Sequence, residues 1–283
     1  MKIVMLFVLL ICTVAVIVIW DVNRFVIRRY TLTVPKIKEK YCFVMLSDLH
    51  GKSFGRNNEK LLGKIRELKP DGIFIAGDMI TAKPGRNFDE TVAFIRKLAD
   101  SFPVYYGSGN HEYRLGIYPE KYKDMSEKFE NAIRHPNLFR LKNQTSFLEK
   151  ENILVYGLEI DREYYKKIHA PEMNVQYIEQ KLGKPEKRAY TIMIAHNPAY
   201  FPVYAGYGTD LVLAGHVHGG IARIPLLGGV ISPALRLFPK YDGGIFKQDN
   251  TTMVLGRGLG THTLPVRFLN PGELIYVTLD PEE

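Results

Sequence analysis

An α/β fold with mixed sheet pairing, preceded by one apolar helix, is predicted here by three observations. Short apolar runs of strand length alternate with helical stretches through the first half of the chain. These runs are continuous, so both faces of each strand must be covered. The later runs crowd together, which calls for hairpins and antiparallel neighbours. Taken in order, Tyr41–Ser47 (YCFVMLS) is a buried strand. Asn57–Lys69 is a helix with Leu61, Leu62, Ile65 and Leu68 on one face, stopped by Pro70. Gly72–Ala76 is a strand, Phe88–Ala99 an amphipathic helix, Val104–Gly107 a strand and Glu120–Ile133 a helix. Asn152–Glu159, Thr191–Ala195 and Asp210–Ala214 are further strands. Beyond Gly219 come apolar segments punctuated by Gly and Pro, ending in the strand Glu273–Leu279. No internal repeat or low-complexity tract interrupts this order.

The first element stands apart. Residues 3–20 carry no charge and end in Trp20, a residue suited to a membrane interface. As a helix this run is ~27 Å long, close to the thickness of a bilayer core. No small-residue cleavage signal follows it, so a retained anchor over 1–22 is expected instead of a cleaved signal peptide. Residues 23–40 form a basic juxtamembrane linker able to make an early strand, and 41–283 the folded body. Only Lys2 precedes the apolar run, whereas Arg24, Arg28, Arg29, Lys36, Lys38 and Lys40 follow it. That count places the body on the cytoplasmic side; the same cations suit acidic headgroups, and a run beginning at Met-Lys also suits export.

The 283 residues suffice for one large core, and 24% charged residues exclude wholesale disorder. A net charge of +8 points to anionic partners: phosphorylated substrates, acidic lipid or nucleic acid. No interleaved aromatic–basic stripe supports the last. Cys12 and Cys42 are too far apart in context to pair, so neither a disulfide framework nor a Cys-based zinc site is expected.

Five short motifs follow the apolar runs: Ser47-Asp48-Leu49-His50-Gly51, Gly77-Asp78-Met79, Gly109-Asn110-His111-Glu112, Ala195-His196-Asn197 and Gly215-His216-Val217-His218-Gly219. Ligands of α/β sheets sit beyond the carboxyl ends of the strands, so the five tips can share one site. Carboxylate, imidazole and amide oxygen together suit divalent Mn, Fe or Zn. On a strand, the spacing of two puts Asp48 and His50 on one face, and His216 and His218 likewise. Two Asp, one Asn and four His exceed the needs of one ion, but fit two ions sharing a carboxylate. Each motif alone is weak, since a D-x-H or a G-D at a strand end is commonly a turn or cap. Their order and shared context carry the reading.

This ordered set resembles that of the calcineurin-like metallophosphoesterase superfamily, over about Cys42 to Leu279. GHVHGG together with RGLGTHTLPVRFLNPGELIYVTL resembles its membrane-associated bacterial branch, which includes hydrolases similar to UDP-2,3-diacylglucosamine pyrophosphatase. The resemblance implies a four-layer α/β-β/α sandwich with two mixed sheets. It implies that Asp48, His50, Asp78 and His218 hold one metal ion and that Asp78, Asn110, His196 and His216 hold the other. It implies hydrolysis of a phosphomonoester, phosphodiester or pyrophosphate by a hydroxide bridging the ions, with His111 protonating the leaving oxygen. A membrane-tethered site fits a lipid-linked or nucleotide-diphosphate substrate; a phosphodiesterase of soluble nucleotides and a non-catalytic metal-binding scaffold are the alternatives. One departure stands out. Many relatives read G-D-x-x-D, where the second Asp orients the catalytic His; here that position is Thr81. Either its hydroxyl or another carboxylate is expected to orient His111.

Other residues carry weaker expectations. His135 reads as a cap or surface residue, His169 as exposed, and His262 as structural or as part of the site rim. Arg257 and Arg267 are candidates for phosphate contact and equally for ion pairs. Between Gly219 and Phe246, apolar residues including Ile221, Ile224, Leu226, Leu227, Leu235, Leu237 and Phe238 are interspersed with Arg223, Arg236 and Lys240. This stretch reads as a hairpin packed on the core sheet or as a lip touching bilayer beside the site.

Overall fold

The computed structural model describes residues 1–166, 169–220, 222–224, 227–231, 237–261 and 265–282. Helix α1 (Lys2–Val22) comes first, followed by β1 (Phe25–Val34) and β2 (Tyr41–Leu46). Next are α2 (Glu59–Leu68), β3 (Gly72–Ala76), α3 (Asp89–Ala99) and β4 (Val104–Gly107). Three short helices follow, α4 (Asn110–Ile117), α5 (Pro119–Tyr122) and α6 (Met125–Ala132). Then come β5 (Leu138–Leu141), β6 (Gln144–Leu148), β7 (Ile153–Leu158), α7 (Val175–Leu182), β8 (Tyr190–Ala195), α8 (Phe201–Tyr207) and β9 (Leu211–Ala214). The chain closes with β10 (Ala222–Ile224), β11 (Gly228–Ile231), β12 (Gly244–Gln248), β13 (Thr251–Leu255) and β14 (Gly272–Pro281).

Two six-stranded mixed sheets result, in the orders β1-β14-β2-β3-β4-β5 and β12-β13-β9-β8-β7-β6. In the first, β14 is antiparallel to β2 and the remaining pairs are parallel. In the second, both edge pairs are antiparallel around a parallel centre. The continuous apolar runs are explained by three separate cores. Phe43, Met45, Phe74 and Ala76 face the second sheet, meeting Ile192, Ile194, Leu211 and Leu213 between the layers. Their neighbours Val44, Leu46, Ile73 and Ile75 face outward onto Leu61 and Ile65 of α2 and Phe94 and Leu98 of α3. On the far side Met193, Ala195, Val212 and Ala214 pack on Ile178 of α7 and on Phe201 and Tyr204 of α8. Alternate residues of one strand thus enter different cores. The order helix, sheet, sheet, helix is the expected four-layer sandwich.

Several boundaries differ for visible backbone reasons. Helix α2 starts at Glu59 because Asn57 and Asn58 are left-handed (φ 52° and 60°). The single helix expected over Glu120–Ile133 breaks at Lys123, with φ 51°. The early strand foreseen within residues 23–40 is β1, which pairs with β14 over its whole length and so belongs to the first sheet. Strands β10 and β11 pair with each other as an antiparallel two-stranded sheet. Cys12 and Cys42 are free thiols. Helix α1 has 21 residues and a mean hydropathy of 3.2 over 18 of them, enough in length and composition to cross a membrane.

Candidate metal centre

Strands β2, β3, β4, β8 and β9 all end at one edge of the sandwich, and the five motifs follow them. The spacing of two does not act as expected. Strand β2 ends at Leu46 and β9 at Ala214, so neither D-x-H nor H-x-H lies on a strand. The pairs converge because Asp48, His50, Asp78, His216 and His218 all have left-handed backbone, with φ between 50° and 75°. Such strain in non-glycine residues is retained only where the surroundings hold it, and it clusters at functional sites. Gly77 and Gly109 let two of these loops touch: a Cβ on Gly77 would meet the Gly109 backbone, and one on Gly109 would meet the Asp78 carboxylate.

Several of these side chains come together at this edge. Nε2 of His50 and Nε2 of His218 are 3.1 Å apart. Asp48 Oδ1 lies 3.4 Å from His218 Nε2 and 3.8 Å from His196 Nε2. Asp78 Oδ2 lies 3.2 Å from His196 Nε2 and 3.8 Å from His50 Nε2. Asp48, His50 and His218 form one group of ligand atoms within 4.8 Å of one another, and Asp78, His196 and His216 form a second. His111 joins His50 and Asp78 in a third. Asn110 opens α4 beside them, and its Oδ1 is buried without a hydrogen-bond partner among the described residues. His196 Nε2 is likewise buried and faces the Asp78 carboxylate at 3.2 Å. Its other nitrogen, Nδ1, lies 2.6 Å from the Ala76 carbonyl, which fixes the ring with Nε2 towards the site. Inward-facing nitrogens, carboxylates and an orphaned amide oxygen are what cations would satisfy.

The electrostatics agree. Burial raises the Asp48 carboxyl to about 6, against the pull of the His196 ring and helped by the Asp78 charge. Burial pushes Asp78 up too, but the His196 and His111 rings outweigh it and hold the carboxyl well below its ordinary range. Burial disfavours a charged His196, yet the Asp78 and Asp48 carboxylates lift it to about 10. The buried carboxylates and the His196 and His111 rings thus offset one another's charge.

Thr81 does not orient His111. Its hydroxyl sits 3.3 Å from both Nδ1 and the carbonyl of His50. Instead the Ala82 N–H donates to His111 Nδ1 at 2.9 Å. A neutral His111 must then carry its proton on Nε2.

Glu112, quoted in the motif but given no role from sequence, is the brace of the first sheet's loops. Its carboxylate accepts from the N–H groups of Asp78 (2.9 Å), Met79 (2.8 Å) and Gly109 (3.0 Å) and from the Tyr106 hydroxyl (2.7 Å). A glutamate three residues into α4, reaching back to the helix start, is the readable half of a capping box. Arg267 is a structural cation: 2% exposed, it donates to the carbonyls of Arg257, Gly258, Gly260 and Asn270. Arg257 packs against Glu273. His135 contacts Asp100 and caps Asn137, and His169 is exposed. His262 lies outside the described residues, as do Ile221, Leu226, Leu235 and Arg236.

A cavity of about 1010 Å³ opens beside the centre and shares Asn110 and His216 with it. Tyr165 stands at this junction, its ring 5.3 Å from that of His216. The wall is aromatic, with Tyr113, Tyr164, Tyr200 and Tyr241, and basic, with Arg114 and Arg162. Arg114 lies one helical turn after Asn110, which turns it to the same side of α4.

Fold and site together describe a metallophosphoesterase. Residues 43–220 match the pattern of the calcineurin-like phosphoesterase family, and the chain belongs to that family. An uncharacterized metallophosphoesterase of Campylobacter jejuni is 26% identical over 89% of this chain. The chain spans 63% of that protein's length. The metallophosphoesterase YkuE of Bacillus subtilis is 26% identical, covering 87% of this chain and 81% of its own. The phosphodiesterase YaeI of Escherichia coli is 28% identical, covering 69% of this chain and 65% of its own.

Proposed function

We propose that this chain is a membrane-anchored, dinuclear-metal-dependent phosphoester hydrolase acting on a lipid-linked or nucleotide-diphosphate substrate. The observation that carries the reading is the single Asp78 oxygen lying between histidines from both sheets, His50 and His196. Asp48, His50, Asp78 and His218 would hold one divalent ion, and Asp78, Asn110, His196 and His216 the other, with Mn, Fe and Zn all compatible with these donors. When bound, such ions lower the pKa of water and neutralise phosphate charge. The protein's own groups do the rest. His111 presents an Nε2 proton to the leaving oxygen because Ala82 occupies its Nδ1. Arg114 and Arg162 offer cations to a second anionic group, and the tyrosines face an apolar or aromatic moiety. A substrate of that description has a phosphoester or pyrophosphate at one end and a base or acyl chain at the other, as a nucleotide-diphosphate glycolipid has. The name of the Escherichia coli relative, a phosphodiesterase, favours a diester over a monoester and keeps soluble nucleotides in view.

The test is turnover by the full-length chain in detergent, with and without added Mn, on a chromogenic diester, on soluble nucleotides and on a UDP-linked glycolipid. Chelation should abolish activity and Mn restore it, with kcat/KM at least about tenfold higher for the amphiphile, the scale of one well-placed pocket contact. Preference for the soluble nucleotide would replace the lipid reading. A metal-loaded protein inert towards every phosphoester would leave only a scaffold.

A further inference from the structure

Helix α1 leaves the body at the same end as the metal centre. Strand β1 is parallel to β14, and β14 is antiparallel to β2. Phe25 pairs with Gly272, whereas Met45 of β2 pairs with Ile275. The start of β1 therefore lies beyond the carboxyl end of β2, at the level of Asp48. Side chains confirm the proximity: Lys52 Nζ donates to Asn23 Oδ1 at 2.8 Å, two residues after His50.

From this exit a hydrogen-bonded path crosses the site face. Asp21, the buried residue at the end of α1, accepts the Asn270 N–H at 2.9 Å. The Asn270 side chain donates to the carbonyls of His218 and Gly220 at 2.8 and 2.7 Å. Phe268 bridges to Ala222 of β10, β10 pairs with β11, and Ile231 of β11 bridges to Leu237. Leu237 and Phe238 then line the cavity beside His216. Three inter-strand steps of ~4.8 Å put the cavity rim ~14 Å across from the Phe268 segment.

This path is apolar on the outside. After α1, the three most exposed large apolar side chains among the described residues are Leu227, Leu237 and Phe238, at 65%, 65% and 60%. Ile224 and Leu269 stand in the same strip at 45% and 44%. Scattered exposed apolar residues need no explanation, but a connected strip starting at the foot of an apolar helix does. Trp20, with the Arg24 guanidinium 5.9 Å from its ring, marks the depth at which α1 meets the headgroups. Asp21, one residue on, holds Asn270 and hence its neighbour Leu269 at that depth.

We propose that the strip formed by Ile224, Leu227, Leu237, Phe238 and Leu269 rests on the bilayer that holds α1. The cavity mouth then lies at the headgroup layer, where a membrane-embedded phosphoester enters sideways without leaving the lipid. The docking surface stands on its own geometry; the route for substrate rests on the hydrolase reading above. The test uses the full-length chain in phosphatidylcholine–phosphatidylglycerol nanodiscs containing acyl-brominated lipid. In a Trp20→Phe background, Leu227→Trp and Leu269→Trp should be quenched about twofold, as expected of side chains at the headgroup–acyl boundary. Phe147→Trp, exposed at the opposite end of the second sheet, should not be. The variant Ile224→Ser/Leu227→Ser/Leu269→Ser, which leaves the cavity wall intact, should lose about tenfold in kcat/KM on a bilayer-embedded phosphoester, in line with the apolar contact removed. Its turnover of a soluble diester should be unchanged. Absence of quenching at both positions overturns the docking surface. Quenching with equal loss on both substrates overturns the lateral route. Quenching without any metal-dependent turnover sinks the hydrolase reading and leaves the docking surface standing.

Discussion

The two sheets contribute to the metal centre in different ways. Loops of the first carry the oxygen donors Asp48, Asp78 and Asn110, along with His50 and His111. Loops of the second carry only imidazoles: His196, His216 and His218. Their support differs as well. The Asp78 and Gly109 loops of the first sheet are tied to each other by one carboxylate, Glu112. Those of the second are aimed by the first: the Ala76 carbonyl holds His196, and Asp48 accepts the His216 N–H at 3.0 Å. Asp48 and Asp78 therefore act twice, as candidate ligands and as positioning groups for residues across the interface. The lesson is directional. Damage to the first sheet should disable both halves of the centre, and damage to the second should stay local.

The comparison is broken most severely at Asp78. Besides facing both sheets' histidines, its Oδ1 accepts the His111 N–H at 2.8 Å. Asp78→Ala should lower kcat by about 1000-fold or more, beyond the loss of a single electrostatic donor. His216→Ala should cost only about 10–100-fold and retain more bound metal. Metal content by mass spectrometry alongside kcat checks both; equal losses would remove the asymmetry.

Next in size is Glu112→Gln. The amide cannot accept on both sides, so at least one buried N–H loses its partner. Such a loss costs about 1–3 kcal/mol. For a body of this size that lowers Tm by about 2–10 °C. The effect should appear in the metal-free protein, since the brace joins backbone N–H groups of two loops and needs no ion. A thermal melt with chelator present decides it; an unchanged Tm would mean that the brace is dispensable.

A smaller effect sharpens the electrostatic side. His196 has its pKa raised to about 10 in the metal-free site. A group raised in this way stabilises the fold fully below its unfolded value of about 6.5. That contribution disappears as pH climbs through about 10. Ligation needs the Nε2 lone pair, so metal uptake at pH 7.5 must expel this proton. Titration calorimetry in buffers of different ionisation enthalpy should show about one proton released, and affinity should rise about tenfold per pH unit from 7 to 9. The metal-free protein should lose stability over the same interval. Zero proton release would mean that His196 is already neutral before metal binds or that it is not a ligand.

How much of this was legible differs along the chain. Strands β2, β3, β4, β8 and β9 are short, wholly apolar and bounded by turn residues, so their runs stood out. The sheet pairing and the edge strands β5 and β6 did not, because LFRL and QTSFL are half-exposed and mix polar with apolar residues. Helix α8 was hidden by Pro202 and a run of aromatics that reads equally well as strand or loop. All seven candidate ligands were visible as residue types at strand ends. Their convergence was predicted for a wrong local reason, since strand alternation was invoked where left-handed backbone does the turning. Nothing in a one-dimensional string marks αL at Asp48 or His218, because the strain is imposed by contacts distant in sequence. The Ala82 N–H that holds His111 was illegible for the same reason: a backbone donor has no letter of its own.

The smallest predicted effect is at Thr81, and it separates sequence logic from structural logic. Were Thr81 the stand-in for an orienting aspartate, Thr81→Ala would free the His111 ring, and the loss would grow as the leaving group becomes poorer. The structure places the Thr81 hydroxyl on His50 at 3.3 Å, a long and weak contact, and gives His111 to the Ala82 N–H. Thr81→Ala should then cost no more than about threefold in kcat, the worth of one weak neutral hydrogen bond. The cost should be the same for good and poor leaving groups, and metal affinity should fall slightly because His50 is less firmly set. A series of aryl phosphodiesters spanning a range of leaving-group pKa measures the slope. A slope that steepens in Thr81→Ala would return the orienting role to Thr81, and with it the case for a carboxylate-like mechanism on the first sheet.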